Sequence, residues 1–273
     1  MKRTDVVSMR SLLSGSARYK PVQSHRGFVW TPAEVAQLLV DLEFAAKADE
    51  DGDDEDGAPA ERFYLGIMTV NYLRRGQYIV VDGQQRLTTL ALIIAFARDR
   101  TNDNGERQRL DRMLVRRSLT RSPEPRIRLS PEDHAWFSHF ILPPGATKRL
   151  PARAPIGSPR ALLLAARFME QAFISYSQDD IYTIANYVRR NAAFVRTIAE
   201  PGMAWPALPA PTPAEQPAAL PAPSSATTLF APRPSAPAAP AAARHGESLR
   251  AQYARRAQAG TSYHSQLFGV AAE

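Results

Sequence analysis

The segment YIVVDGQQRLTTLALIIAFA, residues 78–97, decides the fold of this chain. Its first four residues are aromatic or β-branched, which is typical of a strand. From Leu87 to Ala97 the segment is apolar almost all round, which predicts a buried helix. Only Asp82-Gly83-Gln84-Gln85-Arg86 lies between the two. The sequence therefore predicts a strand that turns directly into a helix.

Two further elements precede this junction. Residues 63–72 and 77–81 are rich in β-branched and aromatic side chains and flank Arg74-Arg75-Gly76, which predicts a hairpin. Upstream, Thr31-Pro32-Ala33-Glu34 combines an N-cap residue, a proline at the first helical position and a glutamate that can reach back to the cap. Apolar residues follow at helical spacing, so a helix over 31–47 is predicted.

The second half of the chain is predicted to be mainly helical. The patterns indicate a short strand at Arg126–Leu129, a helix that starts at Ser130, and amphipathic helices near 160–176 and 179–199. The predicted fold class is thus α+β. A small mixed sheet with packed helices is expected over residues 5–100, followed by a helical subdomain over residues 101–200.

The last part of the chain differs in composition. Of the 45 residues in 201–245, 27 are proline or alanine, and large apolar side chains are few. Such a segment cannot offset its ordering entropy by burial, which predicts a disordered tail over 201–273 with a short polar helix near 247–258. The whole chain has 273 residues and a formal net charge of +7.

Composition also excludes several classes of chemistry. The chain has no cysteine, which excludes disulfides, thiolate zinc sites, iron–sulfur clusters and cysteine nucleophiles. No apolar run is long enough to span a bilayer and no signal peptide is recognisable, so a cytoplasmic protein without membrane contact is expected. His134 and His139 lack the zinc-binding H-E-x-x-H pattern, and the acidic run 49–56 fits no calcium loop. No metal-ligand set is predicted.

The junction at residues 82–86 is the strongest candidate for chemistry. A helix start offers unpaired N–H groups and a partial positive charge, Gly83 permits close approach of the backbone, and Arg86 adds a forked cationic donor. Gln84, Gln85 and Thr88 supply neutral donors and acceptors nearby. This combination indicates a phosphate cradle. A purely structural interpretation stays open, in which Asp82 and Gln85 form a helix-capping pair and Gly83 serves only the turn.

The same residues resemble a known family. FYLGIMTVNY, the basic turn and YIVVDGQQRLTTLALIIA are similar to the N-terminal domain of GmrSD-type restriction endonucleases, which carries a D-G-Q-Q-R motif. Upstream, residues 24–30 (SHRGFVW) followed by a helix resemble the "Q-R-x-Y-x-W" segment of that family, with His25 in place of its glutamine. The resemblance is expected to cover residues 5–200. It implies a ParB/sulfiredoxin-like fold.

The resemblance also implies roles for individual residues. Asp82, Gln85 and Arg86 would be catalytic, with Asp82 or Gln85 orienting the attacking water or a Mg²⁺-bound one. The nucleotide-binding residues would be Arg26, Gly83, Gln84 and Thr88, and a nucleoside triphosphate would be the substrate. The implied function is nucleoside triphosphate binding and hydrolysis in a restriction or phage-defence system that acts on DNA.

The family pattern is incomplete after residue 200. Neither its F-E-x-L-N-x-R-G-like segment nor an HNH nuclease domain is present in the sequence, so the helical subdomain is expected to be truncated and a separate nuclease subunit could complete the system. Two alternatives therefore stay open: a module that binds nucleotide or DNA without hydrolysis, and an inactive remnant. The ten arginines of 98–128 could contact DNA phosphates or form a solvated face. The oligomeric state is not predicted.

Overall fold

The computed structural model describes residues 3–22, 26–51, 62–74, 76–117 and 122–199, and the predicted tail lies outside them. Within these residues the α+β prediction is confirmed, since the chain forms seven strands and seven α-helices around a mixed sheet. The helices are α1 (Met9–Leu12), α2 (Pro32–Asp51), α3 (Gln84–Arg100), α4 (Asn104–Leu114), α5 (Pro131–Phe140), α6 (Ser158–Ile174) and α7 (Gln178–Arg190).

A five-stranded mixed sheet forms the centre of the fold, in the order β1-β7-β3-β4-β2. The pairs β1/β7 and β3/β4 are antiparallel, whereas β7/β3 and β4/β2 are parallel. A separate two-stranded ladder is formed by β5 and β6. The strands are β1 (Arg3–Ser8), β2 (Arg18–Pro21), β3 (Phe63–Arg74), β4 (Gln77–Asp82), β5 (Val115–Arg116), β6 (Glu124–Pro125) and β7 (Ala192–Ala199).

The elements predicted around the junction are confirmed. The hairpin consists of β3 and β4, and α2 begins one residue after Thr31, whose backbone N–H donates to Glu34 Oε2 at 2.7 Å. That bond is one half of the predicted capping box. Helix α3 is buried from Leu87 to Asp99, so the apolar run does pack on all sides. None of the described helices is long and apolar enough to cross a membrane.

The predicted helix over 179–199 is wrong in its second half. Helix α7 ends at Arg190, and AAFVRTIA continues as β7, which pairs with β1 on one side and β3 on the other. Ala192, Ala193 and Phe194 are fully buried there. Central strands that are covered on both faces lose the polar alternation by which strands are recognised, so this one was read as a continuation of the helical pattern.

Smaller differences concern the other strands. The predicted strand at Arg126–Leu129 is displaced, because β6 pairs at Glu124–Pro125 and only Ile127 forms a bridge, to Tyr19. The edge strands β1 and β2 were not predicted. Because β7 follows the helical part in sequence but lies in the middle of the sheet, the sheet contains strands from both predicted segments of the chain.

Candidate functional site

The junction between β4 and α3 has the geometry that the glycine suggested. Strand β4 ends at Asp82, Gly83 adopts φ 94° and ψ 3°, and α3 begins at the next residue. A Cβ on Gly83 would lie 3.3 Å from Met68 Cα and would also require a left-handed backbone conformation. Glycine is therefore required both by the turn and by the close packing of β3 beneath it.

No side chain caps the start of α3. Gly83 occupies the N-cap position, and in the described part of the chain no side-chain cap hydrogen bond is formed there. The alternative in which Asp82 and Gln85 form a capping pair is therefore wrong. Because the first-turn N–H groups of a helix have no intrahelical acceptor, the start of α3 keeps its partial positive charge and its donors for another acceptor.

Arg86 lies beside this helix terminus in the first turn of α3. Its side chain is half-buried, and within the described part of the chain its guanidinium makes no hydrogen bond and no ion pair. Its Nη1 atom is 3.4 Å from where a Cβ on Gly66 would be placed, and Gly66 has a φ of +91°. The Arg86 guanidinium therefore lies close to the backbone of β3 at Gly66.

Three other residues of the predicted site differ in exposure. Asp82 is exposed at the end of β4, opposite Thr69 of β3. Gln84 is 5% exposed, and its Oε1 atom is buried without a hydrogen-bond partner among the described residues. Thr88, one turn further along α3, is almost fully buried. A polar atom that is buried and unsatisfied in this way needs a partner from elsewhere.

Gln85 connects the two motifs of the chain. Its Nε2 donates to the Gly27 carbonyl at 3.1 Å, and its Oε1 accepts from the Val29 N–H at 3.0 Å. Both ends of the amide are thus engaged with the backbone of the upstream segment. The structure therefore brings residues 27–29, and with them the exposed neighbour Arg26, to the start of α3, whereas His25 lies outside the described residues.

The same upstream segment is also held from the second half of the chain. The Phe28 N–H donates to Asp133 Oδ2 at 2.7 Å, and the Phe28 side chain is 3% exposed. A Cβ on Gly27 would lie 2.2 Å from Ser158 Oγ and 2.7 Å from Asp133 Oδ2, so only glycine fits. Sequence reasoning identified the α5 start but missed Asp133, because a contact across 105 residues leaves no local pattern.

The donor set can be tested against a Mg²⁺ ion. In the described part of the chain no three His, Asp or Glu residues are close enough to hold a metal by themselves. Mg²⁺ is usually bound through one or two carboxylates together with the phosphates of a nucleotide. Asp82, which is exposed at the end of β4, fits this requirement and would hold the ion jointly with phosphate oxygens.

The basic stretch 98–128 is largely used within the fold. Arg98 is fully buried, and Arg126 donates to four backbone carbonyls. The exposed Arg109 pairs with the buried Glu106, and the exposed Arg117 pairs with Asp111. Paired guanidinium groups are poorer phosphate ligands than free ones, so this stretch is a weaker candidate for DNA contact than its charge count indicated.

Comparison with known proteins now bears on this site. Residues 12–158, more than half of the chain, match the family described as the GmrSD restriction endonuclease, N-terminal domain. The chain belongs to this family. The match contains the upstream segment, the β3–β4 hairpin, the junction and Asp133, and it is narrower than the range of 5–200 that the resemblance had suggested.

Membership in the GmrSD N-terminal domain family confirms the predicted resemblance and places the chain in a restriction system that acts on DNA. A search of the curated proteins finds no match to the sequence. A more specific function depends on the β4–α3 junction, the upstream segment and their contacts with α5 and α6.

Proposed function

We propose that this GmrSD-type domain binds a nucleoside triphosphate at the β4–α3 junction and hydrolyses it. The observation that carries the proposal is the free guanidinium of Arg86 beside an uncapped helix start. In most folded proteins a half-buried arginine finds a carboxylate or carbonyl acceptor, because an unpaired buried charge is costly. An anionic ligand with several oxygen acceptors would satisfy Arg86 and the first-turn amides together.

Different residues of the β4–α3 junction would bind different parts of the ligand. The α3 amides and Arg86 would bind phosphate oxygens and stabilise the charge that develops in phosphoryl transfer. Gly83 permits the turn from β4 into α3, and Gly66 lets the Arg86 guanidinium lie close to the backbone of β3. Asp82 would hold Mg²⁺ together with the phosphates or orient the attacking water, and the buried Oε1 of Gln84 would accept a hydrogen bond from the ligand.

A second function, nucleotide binding without turnover, is favoured by one contact. Both ends of the Gln85 amide are engaged by Gly27 and Val29, so this side chain is not available to orient a water molecule. Of the three residues predicted to be catalytic, only Asp82 and Arg86 then present free groups to a ligand. In this case nucleotide binding would act as a signal to the DNA-cleaving part of the restriction system.

Nucleotide titration of an Arg86→Ala variant tests the site. We expect wild-type protein to bind at least one Mg²⁺-nucleoside triphosphate in isothermal titration calorimetry. A charge-assisted hydrogen bond contributes about 1.5–3 kcal/mol, so the variant should bind about 10- to 100-fold more weakly while its unfolding temperature changes little. Arg153→Ala is the matched control, since it removes an equal charge from an exposed position.

The outcomes separate the two functions from each other and from no function. Equal affinity of wild type and Arg86→Ala would place the nucleotide elsewhere. Phosphate release by wild-type protein, lost in Asp82→Asn, would support hydrolysis, measured with and without duplex DNA. Tight binding with no phosphate release under either condition would favour the module that binds without turnover.

A further inference from the structure

The backbone of Gly27, Phe28 and Val29 is bonded to side chains from distant elements. These residues lie outside any helix or strand. The Gly27 carbonyl and the Val29 N–H are bonded to Gln85 at the start of α3, and the Phe28 N–H is bonded to Asp133 in the first turn of α5. The Phe28 bond is buried, the Gly27 bond is partly buried and the Val29 bond is exposed, so each of three consecutive residues outside regular structure receives one such partner.

Asp133 is an unusual group to find in this place. Its side chain is fully buried, with Oδ2 bonded to the Phe28 N–H and Oδ1 unpartnered among the described residues. The start of α5 favours a negative charge, but an unsatisfied carboxylate oxygen still costs free energy. A fold retains such a cost where the group serves something other than stability.

Close packing at Gly27 and Phe28 fixes the position of residues 27–29. The Gly27 Cα is pressed against Ser158 at the start of α6, where any side chain would overlap the serine, while the neighbouring Phe28 side chain is inserted in the core. The exposed Arg26 immediately precedes this fixed segment in the chain. Its position relative to α3 is therefore set from two directions, by Gln85 and by the α5–α6 region.

We propose that Asp133 is a positioning residue of the nucleotide site. This proposal rests on the function proposed above. Asp133 fixes residues 27–29 against α3 so that Arg26 can contact the phosphates of the nucleotide bound at Arg86. The site is then assembled from both halves of the chain, and elements α5 and α6 are part of it although they contribute no ligand. Asp133 acts through Arg26 and touches no reacting atom.

A double-mutant cycle tests this positioning. Affinity for the Mg²⁺-nucleoside triphosphate that binds wild type best, chosen among those of adenosine, guanosine, cytidine and uridine, is measured for Arg26→Ala, Asp133→Ala and the double variant. If Asp133 acts through Arg26, Asp133→Ala weakens binding about tenfold or more. The second substitution then adds little, because coupled residues are not additive.

Two further variants separate positioning from damage to the fold. Asp133→Asn retains an acceptor for the Phe28 N–H and should restore most of the affinity, and Glu132→Ala removes an exposed acid from the same helical turn and should have no effect. Hydrogen exchange of the 27–29 amides should quicken in Asp133→Ala and recover in Asp133→Asn. If Asp133→Ala does not fold, Gln85→Leu releases the same segment from the α3 side and replaces it in the cycle.

The two proposals fail in different ways. Additive effects of Arg26→Ala and Asp133→Ala, or wild-type affinity in Asp133→Ala, would overturn the positioning role and leave the nucleotide site intact. Wild-type protein that binds none of the four triphosphates would overturn the proposed function, and the positioning of Arg26 for phosphate with it. Loss of affinity in Asp133→Asn equal to that in Asp133→Ala would also contradict the role, since the Phe28 bond is kept.

Discussion

Arg86 and Arg98 lie on the same helix, twelve residues apart, and their guanidinium groups have opposite surroundings. Arg98 is fully buried at the C-terminal end of α3, where its five N–H groups reach Asp99, Asp111 and the carbonyls of residues 141–143. Arg86, at the N-terminal end, has no such partner among the described residues. The arginine at the C-terminal end of α3 thus has an internal acceptor for each of its N–H groups, whereas the arginine at the N-terminal end has none among the described residues.

The difference indicates how the two ends are used. At the C-terminal end, Asp99 also accepts from the Gly145 N–H and from the backbone and hydroxyl of Thr147, so the irregular 141–148 stretch is tied to the helix. Such a closed network specifies structure. At the N-terminal end, Gly83 forms the turn and no side-chain cap is present among the described residues, which supports the nucleotide site proposed above.

The largest loss of stability is expected when Arg98, the buried arginine at the C-terminal end of α3, is replaced. Arg98→Met keeps much of the side-chain volume but leaves Asp99, Asp111 and three carbonyls without their donor. Removing one partner of a buried ion pair costs about 3–5 kcal/mol, so we expect the free energy of unfolding measured in urea to fall by about that amount. A loss smaller than that of an exposed substitution such as Arg153→Met would contradict the structural role.

A smaller and pH-dependent effect is expected at Asp99. Burial alone would raise the pKa of this carboxyl, but the hydrogen bond and charge of Arg98, with those of Gly145 and Thr147, bring the pKa below its ordinary value of 3.8. A lowered pKa in the folded state means that Asp99 stabilises the protein above the ordinary pKa and that this contribution is lost as the pH falls through the folded value.

The variant Asp99→Asn isolates that contribution. Near neutral pH we expect it to be less stable than wild type by about 1.5–3 kcal/mol, the range for hydrogen bonds to a charged group. Urea unfolding between about pH 7 and about pH 3 should show the two proteins converging at the acid end, below the ordinary carboxyl range. A difference that stays constant across this range would mean that the charge of Asp99 is not what stabilises the fold.

The smallest effect on stability is expected when Arg86, at the N-terminal end of α3, is replaced. Arg86→Met removes a guanidinium that has no internal partner, so the free energy of unfolding should change by no more than about 0.5 kcal/mol. The same substitution made at Arg98 provides the direct comparison. A loss at Arg86 approaching that at Arg98 would show that the first-turn arginine is structural, and the comparison on which the nucleotide site rests would fail.

The local parts of this fold were predictable from the sequence. The β3–β4 hairpin, the Thr31–Glu34 helix start, the buried run of α3 and the glycine turn before it each depend on residues within a few positions of one another. In these segments the spacing of apolar side chains and the conformational freedom of glycine determine the backbone. The D-G-Q-Q-R junction was therefore found, and with it the family.

The parts that were missed depend on distant partners. Strand β7 became a strand because β1 and β3 supply its hydrogen bonds, and the residues that pair with it lie more than 120 positions away in sequence. The same holds for the Gln85 bonds to residues 27–29 and for Asp133. A polar side chain gives no sign in sequence of which backbone group it will reach.

The amino-acid order alone thus determined that a strand meets a helix at Gly83 and that an arginine follows in the first turn. The tertiary structure decided that Arg98 is satisfied internally and that Arg86 has no internal partner among the described residues. The physical reason is that helix formation requires only neighbouring backbone groups. Whether a buried charge is neutralised depends instead on carbonyls and carboxylates that folding brings from elsewhere in the chain.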